Sequence, residues 1–179
     1  MKNKLEYKLS QLIKSQKQLL NQVEGLTPAE INYQPEKDQW SVGQVLYHLY
    51  LVERLTLDYM KEKRLEIDSL AKTGLKESWR TFLMKISLKL PIKFKAPTSV
   101  KENIPHKIDL EKLSQDWAIT HEGYNAFIDE FPANAYHSKI FRHPRIGKIN
   151  LNQTLSFIQD HFDHHLPQVK NLLSKTKSA

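Results

Sequence analysis

A chain of 179 residues is long enough to bury one sizeable core and short for two, so a single domain spanning 1–179 is expected. With 40% hydrophobic and 26% charged residues and only 5 Gly, it is not disordered, collagenous or of low complexity. Lys and Arg outnumber Asp and Glu by 27 to 20, and 8 His accompany no Cys, which excludes disulfides, zinc fingers, iron–sulfur clusters and a cysteine nucleophile.

The opening Met1-Lys2-Asn3-Lys4-Leu5-Glu6 has no apolar signal-peptide core, and nowhere do eighteen apolar residues run together. A cytoplasmic protein with no membrane partner is expected. Leu5, Leu9, Leu12, Leu19, Leu20 and Val23 trace a helical stripe that ends at Gly25. Thr27-Pro28-Ala29-Glu30 offers an N-cap, a proline at the first helical position and a capping-box Glu, enough for a short extra helical turn. Ser41-Val42-Gly43-Gln44 fits a second capping box, with Trp40 before it placed to staple onto Val45, and the helix it starts runs to about Met60.

The positive charge is not spread evenly. Between Lys72 and Lys107 nine basic residues face only Glu77 and Glu102, which accounts for the whole excess of seven and leaves the rest of the chain neutral. Trp79, Phe82, Leu83, Ile86 and Leu90 recur there at helical spacing, so the first half reads as an amphipathic helix docked on the core by that stripe, with Lys and Arg in solvent. An anionic small-molecule substrate, a nucleic acid or a membrane surface are the sharper readings of the charge. Nucleic acid is the weakest of them, since no helix-turn-helix, RNA-recognition motif or zinc module is present. A long basic loop from Pro91 to about Lys107 follows.

Asp109 can cap a helix with the stripe Leu110, Leu113, Trp117, Tyr124, Phe127 and Phe131, ending before Pro132. A connecting stretch holds Phe141 to Gly147, and the last helix starts near Asn150 with Leu151, Leu155, Ile158, Phe162 and Leu166 on one face. Pro167 should kink it. No β-alternation of convincing length appears, so the fold class is all-α, a bundle of four or five helices.

With no Cys, any metal must be held by His, Asp or Glu. His161 and His165 stand four apart on the last helix, pointing the same way from the flank of its apolar face, and can present two imidazole nitrogens to one ion. The pair reads equally as a polar flank at a helix end. His48 falls in an apolar stripe with Val45, Val52, Leu55 and Tyr59, where it is either a core histidine bonded to a carbonyl or a third ligand. Phe162 stands where a HExxH protease needs its Glu, and Asp163 is on the opposite side of the helix. Gln168 is aligned with the pair and suits an outer hydrogen bond to it. His164 reads as surface or outer-shell, His121 as core or pocket-lining beside Tyr124, and His143 before Pro144 as a turn-fixing residue; His106 and His137 carry no signal.

The order Leu26-Thr27, Trp40-Ser41-Val42-Gly43-Gln44-Val45-Leu46-Tyr47-His48-Leu49, Lys95-Ala96-Pro97, His143-Pro144-Arg145-Ile146-Gly147, then His161-Phe162-Asp163-His164-His165-Leu166-Pro167-Gln168 resembles the DinB-like superfamily, which includes the YfiT-type bacillithiol transferases. The resemblance covers about Leu5 to Leu172. It implies a four-helix bundle, a divalent metal (Zn, Ni or Fe) held by His48, His161 and His165, and homodimers. It also implies an enzyme acting on a small molecule, by transfer to a low-molecular-weight thiol or by hydrolysis. The alternative is a non-catalytic metal-binding or stress-associated interaction module. Since the chain lacks Cys, any thiolate must arrive as a cosubstrate.

Overall fold

A computed structural model describes residues 1–37, 39–89 and 102–176. Six α-helices are described: α1 Lys2–Val23, α2 Pro28–Ile31, α3 Val42–Arg64, α4 Leu75–Lys89, α5 Leu110–Asp129 and α6 Leu151–Thr176. The fold is all-α. Both capping boxes form: the Thr27 side chain accepts from the Glu30 N–H, the Ser41 side chain from the Gln44 N–H, and each N3 side chain returns a bond to its cap. Asp109 caps α5 by accepting from the Lys112 N–H. The second of these helices runs to Arg64, a turn beyond the expected Met60.

Helices α1, α5, α3 and α6 pack side against side in a ring, which makes the four-helix bundle. Its centre is apolar and aromatic, with Trp117, Tyr124, Phe127 and Phe162 fully buried. Each large side chain removed from water contributes about 1.5–3 kcal/mol. Gly43 lies where two segments cross: a Cβ there would stand 2.8 Å from Ile31 Cγ2 and 2.9 Å from Ile108 Cβ. Only hydrogen fits, and the first turn of α3 is thereby pressed onto α2 and the chain entering α5.

Two findings correct the expectations. The stretch read as a plain connector contains a hairpin, β1 Phe141–His143 with β2 Gly147–Ile149, antiparallel with Arg142 opposite Lys148. Strands of three residues are too short for alternation to show. Gly147 supplies the φ of 80° that closes the turn, and His143 Nδ1 accepts from the backbone N–H groups of Arg145 and Ile146, so this histidine does fix the turn.

The second correction concerns α4, which lies outside the four-helix ring against α6 and β2. It packs by Glu77, Thr81, Met84 and Ser87, while Trp79, Phe82, Leu83 and Ile86 are exposed. The apolar stripe expected to dock on the core faces outward. Specific polar anchors set this orientation: Glu77 pairs with Lys139 at 2.9 Å and accepts from the Gly74 N–H, and Asn150 donates to Thr73 Oγ1. Leu90 and most of the expected basic loop, Pro91 to Lys101, lie outside the described residues. The last helix continues through Pro167 to Thr176.

Candidate metal centre

His48 sits in the second turn of α3, and His161 and His165 one turn apart on α6, the helix packed beside it. Three imidazoles from two helices therefore meet. Ring centroids are 5.0 Å apart for His48 with either partner and 4.8 Å between His161 and His165. One nitrogen from each lies within 4.8 Å of the others, a grouping able to hold a metal ion. His48 is buried and the other two are partly buried.

The electrostatics suit nitrogen ligands. Burial, and then the nearby His165, pushes the His48 pKa down to about 3. Burial holds His161 well below the ordinary imidazole value, with His165 and His48 adding to the shift, and burial also lowers His165 against an opposing bond to Gln168. All three rings are thus neutral near pH 7, with a lone pair to offer.

The partners decide which nitrogen offers it. His165 Nδ1 donates to Gln168 Oε1 at 2.8 Å, leaving the Nε2 lone pair toward the other rings. His48 Nε2 and His161 Nε2 face each other at 3.2 Å, so in the absence of a cation one must donate to the other. His48 Nδ1 is buried with no hydrogen-bond partner, a cost of about 1–3 kcal/mol that a bond from Nε2 to a cation would offset. The donor set fits a divalent ion. Around it, the Trp40 ring covers His48 at 5.1 Å, and Phe157 lies between His143 at 4.3 Å and His161 at 5.7 Å, so one wall is aromatic. His164 turns its ring nearly perpendicular to His165 at 5.2 Å.

His121 and Tyr124 belong to a different cluster. His121 Nε2 bonds Gln16 Oε1 at 2.7 Å, Gln16 Nε2 donates to Glu53 Oε1, Trp117 Nε1 donates to Glu53 Oε2 at 3.0 Å, and the Tyr124 hydroxyl donates to the Glu53 backbone carbonyl. Burial pushes the Glu53 carboxyl up to about 8, against the bonds from Trp117 and Gln16, and pushes His121 down to about 4. The 4.0 Å approach of His121 to Glu53 is therefore a contact between largely uncharged groups bridged by Gln16. The readings from sequence did not include Glu53 or Gln16. Gln16 carried a signal, since it occupies one step of the three–four repeat Leu5, Leu9, Leu12, Gln16, Leu19, Val23, all of them buried. Leu55, placed in the His48 stripe, is in fact exposed.

A family model described as the DinB superfamily matches residues 11–169. The chain is also similar to the uncharacterized protein YuaE of Bacillus subtilis, at 23% identity over 159 residues, covering 89% of this chain and 93% of that one. No solved structure matches. The matched region contains the capping box, Gly43 and all three clustered histidines: the chain belongs to the DinB superfamily.

Proposed function

We propose that the protein is a metal-dependent enzyme acting on a small molecule, by thiol S-transfer or by hydrolysis, with His48, His161 and His165 as the ligands of one divalent ion. The observation that carries this reading is the convergence of three neutral imidazoles, one from α3 and two from α6, with no acidic group in the cluster among the described residues. A divalent ion on three neutral ligands keeps its full charge and open positions, which supplies a Lewis acid able to lower the pKa of a bound thiol or water.

The chain's own residues hold and shield this centre. Gln168 fixes the tautomer and orientation of His165, the helical i, i+4 spacing fixes His161 relative to it, and the packing of α3 on α6 brings in His48. Trp40 and Phe157 exclude water from one side. Because the chain has no cysteine, a sulfur nucleophile comes with a cosubstrate, and a cytoplasmic location and a homodimer belong to the same reading. Imidazole donors suit Zn, Ni and Fe alike.

Elemental analysis of purified protein tests the reading. One divalent ion per chain, lost in His48→Ala and in His161→Ala, is the expected result. Absence of a stoichiometric ion together with no change in His48→Ala would overturn it. Incubating the loaded protein with an electrophile and a low-molecular-weight thiol then separates the two activities by product: a thioether for transfer, a cleaved bond without sulfur for hydrolysis.

A further inference from the structure

The outward face of α4 is built as an interfacial surface. Leu75, Trp79, Phe82, Leu83 and Ile86 are all exposed, Trp79 by 61% and Phe82 by 52%, with those two rings 5.7 Å apart. At 100° per residue the five fall in an arc roughly 100° wide. Lys76 and Arg80 border the arc on one side; Lys85 on the other is paired with Asp160 at 3.6 Å. The helix's one acidic side chain, Glu77, is turned inward and engaged by Lys139 and the Gly74 N–H.

The neighbouring hairpin extends the positive border. Arg142 and Lys148 are both exposed and directly opposite in register, a like-charge pair that costs stability until an anion lies across it. Strand β2 packs against α4, and the Arg80 guanidinium stands 3.6 Å from where a Cβ on Gly147 would be. The hairpin thus adjoins the Arg80 edge of the apolar arc.

A second copy seated on this arc would bring two like-charged borders together. A nucleic acid would satisfy the charge but leave Leu75, Leu83 and Ile86 in water. An anionic bilayer satisfies both features, because aromatic and aliphatic side chains enter the headgroup–acyl boundary while flanking Lys and Arg reach the lipid phosphates. We propose that the outward face of α4, with Arg142 and Lys148 of the hairpin, docks on the surface of an anionic lipid bilayer. No helix among the described residues is long and apolar enough to cross a membrane, so this is peripheral attachment. It departs from the expectation of no membrane partner, which rested on the lack of a signal-peptide core and of an eighteen-residue apolar run, and takes up the membrane-surface reading of the basic segment.

Co-sedimentation of the full chain with vesicles tests this. Vesicles of phosphatidylglycerol and phosphatidylcholine should retain the protein at about 0.1 M salt, more weakly at about 0.5 M, while phosphatidylcholine alone should not. The double variant Trp79→Ser with Phe82→Ser should lose on the order of tenfold or more in binding, as should Lys76→Glu with Lys148→Glu. All four positions are exposed, so thermal melting by circular dichroism should be unchanged and loss of fold is separable from loss of docking. Failure to bind anionic vesicles, equal binding to neutral ones, or binding indifferent to Trp79→Ser with Phe82→Ser would overturn the proposal. So would a doubling of solution mass abolished by that variant, or retention of RNA or DNA, if vesicles are not bound.

Discussion

His48 Nε2 faces His161 Nε2 at 3.2 Å, although the two lie 113 residues apart in the chain. Between two neutral imidazoles this is a single shared proton, and the buried His48 Nδ1 has no partner of its own. A cation that takes both lone pairs converts a poorly satisfied pair into a ligand set. Metal binding should therefore stabilise the folded chain, because the three nitrogens are assembled only when α3 and α6 are packed.

Removing the ion with a chelator should lower the melting temperature of the wild-type protein. At a free ion concentration a hundred times the dissociation constant, linkage predicts a loss of about 2.7 kcal/mol. His161→Ala should melt at the same temperature with and without chelator. Differential scanning calorimetry of both proteins checks this.

Gln168 is exposed and its amide oxygen accepts from His165 Nδ1, so it orients a ligand without carrying core packing. Gln168→Ala should weaken metal affinity about 10–100-fold and leave the metal-free melting temperature in place. Titration with a competing chromogenic chelator measures the affinity.

Stability should fall as pH rises from about 6.5 to 8. Glu53 has its folded pKa raised from 4.5 to about 8, so the native state holds a proton that the unfolded chain has released, and stability is lost as pH rises across that window. The buried imidazoles act oppositely but only below their unfolded value of 6.5: His121, lowered to about 4, gains the native state stability as pH rises toward 6.5 and is neutral in both states above it. One group releasing one proton gives a slope of at most about 1.4 kcal/mol per pH unit. Denaturant melts of wild type and Glu53→Gln should show the slope in the first and its absence in the second.

Gly43→Ala should destabilise by about 1–3 kcal/mol, because its Cβ would overlap Ile31 Cγ2 and Ile108 Cβ, and the latter is held by the backbone. The same substitution at Gly25, where a Cβ meets nothing within 4 Å, should cost much less. Chemical denaturation of the two variants makes the comparison.

Much of the fold was legible because its signals are local. The caps at Thr27, Ser41 and Asp109, the apolar stripes of α1, α3, α5 and α6, and the i, i+4 spacing of His161 and His165 each arise within a few turns of one helix. The turn-fixing role of His143 was legible for the same reason, since it bonds two and three residues ahead. Family motifs added His48 to the pair, which spacing alone left open between a core histidine and a ligand.

Periodicity states which side chains share a face, and only tertiary packing decides what covers that face. The spacing of the Trp79 stripe does specify one face of a helix, but that face is turned outward, because Glu77, Thr73 and Gly74 anchor α4 by its polar side. Gln16, Glu53, Trp117 and His121 join α1, α3 and α5 through bonds spanning 37 to 105 residues, so none announces its partner locally. A lone buried carboxyl is too costly to expect from sequence, and it stands in this core because the Gln16 amide and the Trp117 indole both donate to it, with His121 bonded to Gln16 behind them, once three helices are packed.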